Sequence, residues 1–279
     1  MTAGQWLKDA ARRLENAGDA DACTDARLFL CAVLECVPAR LFSETERELG
    51  LAQLGRLEAM LARRTAGEPE QYIEGVSWFM GFEFKTDARA LIPRQDTETV
   101  CECALEMIKH KRCASVLDIG TGSGCLAISI KKLRPDARVA ASDISPAALA
   151  LAAENSLKLD AQIETILSDG FGALEGRRFD LVVCNPPYLD ERDMKNLQRE
   201  LRYEPENALY GGADGLDFYR RFTADLPLHL NECGAVVFEV GSGQAEAVGQ
   251  MLENAFPGCK ADAKKDLNGI PRAVYMRIK

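Results

Sequence analysis

The segment Asn185 to Tyr188, an asparagine followed by two prolines and a tyrosine, could do specific chemistry. It follows an apolar run, residues 179–184, which predicts a buried strand. Two successive prolines fix φ and remove two N–H donors, so the backbone must leave the sheet as a rigid loop. The loop presents the Asn185 side-chain oxygen and the Pro186 carbonyl, which together suit a planar amino group with two N–H donors. The alternative is a proline-rich turn whose asparagine caps its own loop.

A glycine-rich turn lies about sixty residues upstream, between an apolar strand (residues 115–119) and an apolar helical run (residues 125–130). Glycines let the backbone approach a ligand and adopt positive φ, and the start of the helix offers free N–H groups. This arrangement predicts a site for a nucleotide-type cofactor. The turn consists of Gly120, Thr121, Gly122, Ser123 and Gly124.

Acidic residues end the next two predicted strands. Asp143 lies 19 residues beyond Gly124, where a carboxylate can accept hydrogen bonds from ribose hydroxyls. Asp169 and Gly170 end the strand after that one. Because the carboxyl ends of parallel strands meet at one edge of a sheet, we expect the cofactor there.

The spacing Gly122-x-Gly124-x-x-Ala127 also fits the looser dinucleotide fingerprint, so the glycines alone do not exclude NAD. Asp118, two residues before the first glycine, favours another class. The pattern from Asp118 through the three glycines resembles the first motif of class I S-adenosylmethionine-dependent methyltransferases. In that family the glycines pack against the methionine part of the cofactor, and the counterpart of Asp143 holds the ribose.

The composition is that predicted for a cytoplasmic enzyme. The chain has 279 residues, 47% of them hydrophobic, and a formal net charge of −9, which argues against a protein that grips long nucleic acid through phosphates. No apolar run approaches the ~20 residues that span a bilayer, so no membrane association is predicted. The ten cysteines form no spaced framework and indicate reduced, buried thiols. With two histidines, a metal site is not expected.

Residues 1–72 predict a small helical domain. Apolar residues recur at helical spacing in two stripes, which predict core packing. This part holds 9 Lys and Arg against 12 Asp and Glu, and a domain that targets DNA would rarely be acidic. It is predicted to recognise a protein substrate, with simple packing against the catalytic core as the alternative. The stripes are Trp6, Leu7, Ala10, Ala11 and Leu14, and Leu51, Leu54, Leu57 and Leu61.

Residues 73–92 are aromatic and broken by glycine, which predicts a β-hairpin that links the helical domain to the catalytic domain, residues 93–279. At the start of the latter, Thr97 is predicted to cap a helix from Glu98 to Lys109. Short apolar strands then alternate with helical runs, which predicts an α/β fold with a mainly parallel, seven-stranded Rossmann-like sheet and helices on both faces.

The chain as a whole resembles the HemK/PrmC-type methyltransferases. The resemblance implies methyl transfer to the side-chain amide of the glutamine in the Gly-Gly-Gln motif of class I peptide chain release factors, in support of translation termination. One departure is Gln95, where the family usually has proline. The matching segments are Ile92 to Glu98, Asp118 to Gly124, Asn185 to Tyr188, and Tyr203-Glu204-Pro205 with Ala208-Leu209.

The resemblance assigns roles to these residues. The cofactor is S-adenosylmethionine, with S-adenosylhomocysteine as the product, and the final strand, residues 273–278, is expected to be antiparallel to its neighbour. The predicted catalytic residues are Asn185, Pro186, Pro187 and Tyr188, with the Tyr188 ring as a wall of the pocket. The predicted cofactor-binding residues are Asp118, Gly120, Thr121, Gly122, Ser123, Gly124, Asp143, Asp169, Gly170 and Asn185.

Two other functions stay open. An amino methyltransferase that acts on adenine or guanine of nucleic acid would use the same acceptor geometry, but it would need a basic face. A noncatalytic module that binds a cofactor and docks a partner is the third hypothesis. The intact segment from Asn185 to Tyr188 argues against that module.

Overall fold

A computed structural model describes residues 1–279, and the chain divides into two compact units. The helical unit comprises Met1–Gly75 together with Gln198–Tyr203. The sheet unit comprises Val76–Leu197 and Glu204–Lys279. The hairpin thus belongs with the sheet unit, and a short segment far along the chain belongs with the helical unit, which the sequence did not predict. No helix has the length and apolar character needed to cross a membrane.

The helical unit contains five helices around one apolar core. Thr2 begins the first of them, because its hydroxyl accepts a hydrogen bond from the Gln5 amide while the Gln5 side chain accepts one from the Thr2 amide. Trp6, Leu14 and Leu61 are buried in the core, as the helical spacing predicted. The helices are α1 (Ala3–Asn16), α2 (Ala22–Leu34), α3 (Pro38–Leu41), α4 (Leu51–Thr65) and α5 (Glu70–Glu74).

One member of the predicted stripes is not in the core. Leu51, the first residue of α4, is 90% exposed, whereas Leu57 and Leu61 are fully buried. A helical stripe faces the core only where other elements cover it, and the first turn of α4 extends beyond that cover. Tertiary packing rather than periodicity decides the end of the stripe.

The sheet unit begins with the antiparallel hairpin of β1 (Val76–Phe79) and β2 (Phe82–Lys85). A seven-stranded sheet follows, in the order β5-β4-β3-β6-β7-β9-β8. Strands β3 to β7 are parallel to one another, and β9 is antiparallel to both β7 and β8, so the prediction for the final strand is confirmed. The strands are β3 (Ser115–Ile119), β4 (Arg138–Asp143), β5 (Glu164–Leu167), β6 (Phe179–Cys184), β7 (Leu230–Glu239), β8 (Ala261–Lys265) and β9 (Pro271–Arg277).

Helices cover both faces of the sheet, because its central strands are apolar on both sides. Every residue of β6 is buried, and alternate residues of β3, β6 and β7 enter two separate apolar cores. The predicted α/β class with a mainly parallel sheet is confirmed. The helices are α6 (Gln95–Met107), α7 (Cys125–Leu133), α8 (Pro146–Lys158), α9 (Glu191–Lys195), α10 (Asp217–His229) and α11 (Ala245–Ala255).

The order of the strands decides where side chains can meet. Strand β3 lies between β4 and β6. The chain adds β4 and β5 on one side of β3 and then crosses over to add β6 and β7 on the other side. A crevice opens at such a point beyond the carboxyl ends of the strands. The loops after β3, β4, β5 and β6 therefore reach the same edge.

Candidate active site

A cavity of about 350 Å³ lies at this edge of the sheet unit. The glycine-rich turn after β3 forms one wall, and the loop after β6 forms another. The predicted site residues that line it are Gly120, Thr121, Gly122, Ser123, Asp143, Asp169, Gly170, Asn185, Pro186 and Pro187. The structure thus brings together residues that lie up to 67 positions apart in the sequence.

The glycine-rich turn has a backbone that only glycine adopts easily. Gly120 and Gly122 have φ values of 67° and 56°, in the left-handed region. The Gly122 amide donates to Asp143 Oδ2 over 2.9 Å, which fixes the turn against the end of β4. Gly124 has another role, because a Cβ there would lie 2.9 Å from Ile128 and 3.1 Å from Ala152. It permits close packing of α7 against α8 and does not line the cavity.

Asp118 lies beneath the turn rather than on the cavity wall. Its Oδ2 accepts hydrogen bonds from Thr121 Oγ1 over 2.6 Å and from the Ala127 amide over 3.2 Å. Burial raises the pKa of this carboxyl to about 7, and the two hydrogen bonds only partly oppose that rise. Asp118 therefore connects the turn to the start of α7 and supports the cavity from behind.

Two carboxylates face the cavity from β4 and β5. Asp143 also accepts a hydrogen bond from the Ser145 amide over 2.9 Å, so its side chain is held at both oxygens. Each carboxylate oxygen can accept more than one hydrogen bond, which leaves capacity for a ligand. Asp169 forms an ion pair of 2.9 Å with Arg221, which α10 contributes to the cavity wall.

The Asn185 amide has a definite orientation. Its Nδ2 donates to Thr97 Oγ1 over 3.1 Å, and no group of the protein donates to its Oδ1. Thr97 itself is buried, lines the cavity and lies in the first turn of α6. The helix begins at Gln95, so the predicted cap at Thr97 is wrong. Its hydroxyl instead contacts the loop after β6, and the Asn185 oxygen is left to accept a hydrogen bond from a ligand.

The rest of the loop divides between two environments. Pro186 and Pro187 line the cavity, and no protein group donates to the Pro186 carbonyl. Tyr188 does not line the cavity: its ring packs on the core beside β7, and its hydroxyl donates to Glu239 Oε1 over 3.4 Å. Burial raises the pKa of the Tyr188 phenol. The prediction that Tyr188 walls the pocket is wrong, because the chain turns between Pro187 and Tyr188.

Two segments that carry the family resemblance meet beside the cavity, although more than a hundred residues separate them. The buried Glu204 carboxylate accepts a hydrogen bond from the Ile92 amide over 3.0 Å and forms an ion pair with Arg94. This contact fixes the segment from Ala90 to Arg94, which lines the cavity. Burial raises the pKa of Glu204, and Arg94 opposes that rise.

Sequence reasoning missed several residues of the site. Glu239 carried a usable signal, because it is an acid at the end of the apolar run Ala235 to Phe238. Phe218 and Arg221 carried none, since an aromatic and a basic residue on an amphipathic helix are ordinary. Their place in the cavity wall depends on how α10 packs, which periodicity does not reveal.

Two family models match the chain. One, described as the PrmC N-terminal domain, matches residues 5–75, and the other, described as the methyltransferase small domain, matches residues 95–213. A protein from Koribacter versatilis named release factor glutamine methyltransferase is 38% identical, over 99% of each chain. One from Geobacter sulfurreducens with the same name is 40% identical, over 95% of this chain and 93% of its own.

A solved structure supports the fold alone. The catalytic domain of hMettl16, in complex with a MAT2A 3′UTR hairpin, has a TM-score of 0.57 to this chain. It is 14% identical and covers 86% of this chain and 85% of its own. At such low identity the likeness indicates a shared architecture, while the substrate must be argued from the site.

Proposed function

The chain belongs to the family of release factor glutamine methyltransferases, and from that premise we propose that it methylates the glutamine of the Gly-Gly-Gln motif in class I peptide chain release factors. The methyl group goes from S-adenosylmethionine to the side-chain amide nitrogen, in support of translation termination. The observation that carries the proposal is the orientation of Asn185. Its Nδ2 is occupied by Thr97, so its Oδ1 is left for a donor in the cavity.

The residues around the cavity suit the cofactor. S-adenosylmethionine has ribose hydroxyls and an adenine amino group, which need acceptors, and a cationic sulfonium, which acidic surroundings favour. Asp143 would accept from the ribose, and Asp169 would accept from the adenine end through Oδ2, because Arg221 pairs with its Oδ1. The backbone at Gly120 and Gly122 permits close approach of the methionine part. When bound, the cofactor supplies an electrophilic methyl group on sulfur.

Residues of this chain then position the acceptor. A glutamine amide nitrogen is a poor nucleophile, because its lone pair is delocalised into the carbonyl, so it must be held in line with the methyl group at about 3–3.5 Å. Asn185 Oδ1 and the Pro186 carbonyl would accept its two N–H groups. Their negative ends would stabilise the positive charge that grows on nitrogen as the new C–N bond forms and the bond from sulfur to the methyl group breaks. The methylated nitrogen would then release one proton to water, and the cofactor product would be the neutral thioether.

The charge around the cavity argues against nucleic acid as the substrate. Three arginines line the cavity, and each is paired with a carboxylate of the protein. Arg89 pairs with Asp87 and Glu154, Arg94 with Glu204, and Arg221 with Asp169. A protein that grips phosphates needs free cations, and pairing removes them.

The helical unit is proposed to grasp the release factor, as predicted for residues 1–72. Among the large apolar residues exposed on its surface, Phe42 and Leu51 are the most exposed, at 80% and 90%. We expect Phe42→Ser with Leu51→Ser to raise KM for the release factor and leave cofactor affinity unchanged. Leu157→Ser, at an 85% exposed leucine of the sheet unit, is the matched control. Equal KM values for the double variant and the control would remove the helical unit from substrate recognition.

A labelled methyl-transfer assay tests the substrate. Purified release factor, ribosomal RNA and DNA are offered in parallel with S-adenosylmethionine. We expect label on the release factor alone, and none on a release factor whose Gly-Gly-Gln glutamine is replaced by glutamate, which lacks the amide nitrogen. Label on nucleic acid, or on the glutamate variant, would overturn the proposal.

A further inference from the structure

A second turn with two glycines, Gly241 to Gly243, follows β7. Strand β7 is parallel to β6, so its carboxyl end brings this turn to the same edge of the sheet as the catalytic loop, Asn185 to Tyr188. The turn does not line the cavity, so it has no place in the binding of cofactor or substrate described above. Gln244, the residue directly before α11, connects the turn to the catalytic loop.

The Gln244 side-chain amide forms hydrogen bonds to the backbone of three loops. Its Nε2 donates to the Tyr188 carbonyl over 3.0 Å and to the Gly215 carbonyl over 3.3 Å. Its Oε1 accepts from the Gly241 amide over 2.9 Å. Since a carbonyl oxygen only accepts and a backbone N–H only donates, these partners fix which end of the amide points in each direction.

The segment from Leu209 to Gly215 lies directly against the end of the catalytic loop. A Cβ at Gly211 would lie 2.8 Å from Tyr188 Cα, so only glycine permits this approach. The Leu189 amide donates to the Leu209 carbonyl, and the Gly211 amide donates to the Leu189 carbonyl, each over 2.9 Å. The end of the catalytic loop is therefore held against this segment by backbone contacts, and Gln244 joins both to the start of α11.

The position of the Tyr188 carbonyl matters because two prolines separate it from Asn185. The rings of Pro186 and Pro187 fix φ at both positions, and a following proline also restricts the backbone of Asn185 and Pro186. With so few free torsions, a displacement of the Tyr188 end shifts the whole loop. No protein group donates to the Pro186 carbonyl, so the direction of that carbonyl depends on the backbone alone.

We propose that Gln244 is a positioning residue that holds the Tyr188 end of the catalytic loop and thereby sets the direction of the Pro186 carbonyl. The proposal rests on the proposed function of Asn185 and Pro186 as acceptors for the two N–H groups of the glutamine amide. Gln244 does not line the cavity, so it acts only through the loop. Without its contact the Tyr188 carbonyl loses a donor and the loop shifts, and a displacement of about 1 Å costs on the order of 10²-fold in rate.

Gln244→Met tests the contact as a whole. It keeps the length of the side chain and removes all three hydrogen bonds, so we expect kcat on the release factor to fall about 10- to 100-fold. The loss should appear in kcat rather than in KM, because the displaced acceptors act in the transition state. The dissociation constant of S-adenosylmethionine, measured by calorimetry without release factor, should be unchanged. Gln250→Met, at an exposed glutamine of the same helix, is the matched control and should keep the wild-type rate.

Gln244→Glu separates the two ends of the side chain. A carboxylate still accepts from the Gly241 amide, but it places a negative oxygen against the Tyr188 and Gly215 carbonyls. The protonated carboxyl supplies an O–H donor for the Tyr188 carbonyl instead. We therefore expect kcat relative to the wild type to be low at alkaline pH and to recover as pH falls through the pKa of the new carboxyl, which the facing carbonyls raise above its ordinary value of ~4.3.

This recovery distinguishes positioning from a structural role. If Gln244 served only to begin α11, the contact with Gly241 would suffice, and Gln244→Glu would keep the wild-type rate at every pH. Gln244→Met should show no recovery at any pH, since a thioether has no proton to donate. Thermal unfolding at each pH, with and without cofactor, verifies that the variants are folded. If Gln244→Met does not fold, the pH dependence of Gln244→Glu decides alone.

The outcomes separate the two ideas. No turnover of release factor by the wild-type enzyme would sink the proposed function. Wild-type turnover with an unchanged kcat in Gln244→Met, or a ratio of Gln244→Glu to wild-type kcat that does not change with pH, would overturn the positioning role alone. A lower kcat in Gln244→Met, together with recovery of Gln244→Glu at lower pH, supports it.

Discussion

The helical unit and the sheet unit both bury carboxylates, but they compensate them differently. In the helical unit, the buried Arg64 guanidinium forms ion pairs with Asp25 over 2.5 Å, Asp19 over 2.9 Å and Glu200 over 2.9 Å. In the sheet unit, the buried Glu239 carboxyl forms no ion pair, and only its Oε1 accepts a hydrogen bond, from the Tyr188 hydroxyl. A paired cluster compensates its buried charges, whereas a buried carboxyl without a cation is costly when ionised. The contrast predicts that substitutions in the first region change stability and those in the second change turnover.

Arg64→Met gives the largest expected effect. It leaves Asp25 and Asp19 buried without a cation, which typically costs about 3–5 kcal/mol of unfolding free energy. Calorimetric unfolding of the helical unit measures it, while the cofactor dissociation constant should stay unchanged. Arg12→Met, at an exposed pair with Asp9, is the control and should lie within about 0.5 kcal/mol of the wild type. Equal free energies of unfolding for Arg64→Met and Arg12→Met would contradict the stabilising role of the Arg64 cluster.

Asn185→Ala should leave stability nearly unchanged and remove an acceptor that acts in the transition state. We expect kcat to fall about 10²–10³-fold, or about 2.7–4 kcal/mol. Asn185→Asp keeps an acceptor but attracts the sulfonium in the ground state too, which does not raise kcat, so its rate should lie between the two. Asn254→Ala, at an exposed residue of α11, controls for loss of an amide. Near-normal turnover by folded Asn185→Ala would refute the acceptor mechanism.

Asp143→Ala addresses the cofactor. Loss of a charge-assisted hydrogen bond should weaken S-adenosylmethionine by about 1.5–3 kcal/mol, a 10- to 150-fold rise in its dissociation constant. Asp136→Ala removes an exposed carboxylate near the other end of β4 and serves as the control. If calorimetry gave equal affinities for the two variants, Asp143 would not contact the ribose.

Glu70→Gln gives the smallest expected effect, which is a change in how the stability of the helical unit depends on pH. Burial and the neighbouring Glu74 raise the pKa of Glu70 to about 8. Folding therefore binds a proton, so this group stabilises the unit fully below its ordinary pKa of 4.5 and loses that contribution as pH rises through about 8. Glu70→Gln should flatten the fall in unfolding temperature over this range, by about 4–8 °C for each kcal/mol lost in a unit of this size. If the unfolding temperatures of the wild type and Glu70→Gln changed with pH in the same way, the raised pKa of Glu70 would be contradicted.

The position of the site could be predicted from the sequence, because the carboxyl ends of parallel strands meet at one edge of the sheet. Gly120, Asp143 and Asn185 each follow an apolar run, and a parallel sheet brings such positions to one edge. Local chemistry was enough there, since glycine conformation and consecutive prolines restrict the backbone wherever they occur. Their assignment to cofactor and substrate stays a prediction.

Other positions could not be predicted because the relevant contacts join distant elements. Gln198–Tyr203 belongs to the helical unit, where Arg199 and Tyr203 hydrogen bond to the Thr65 and Ala66 carbonyls. No local pattern in this segment indicates a partner more than 130 residues away. Any truncation before the sheet unit would remove the groups that this segment contacts.

The sequence by itself determined the α/β architecture, the family and the turn and loop that meet at the cavity, because periodicity, glycine and proline act locally. Only the tertiary structure decided that Tyr188 leaves the cavity and contacts Glu239, and that Thr97 contacts Asn185. Those contacts join α6, β6 and β7, and the orientation of an amide depends on which donors and acceptors surround it in space.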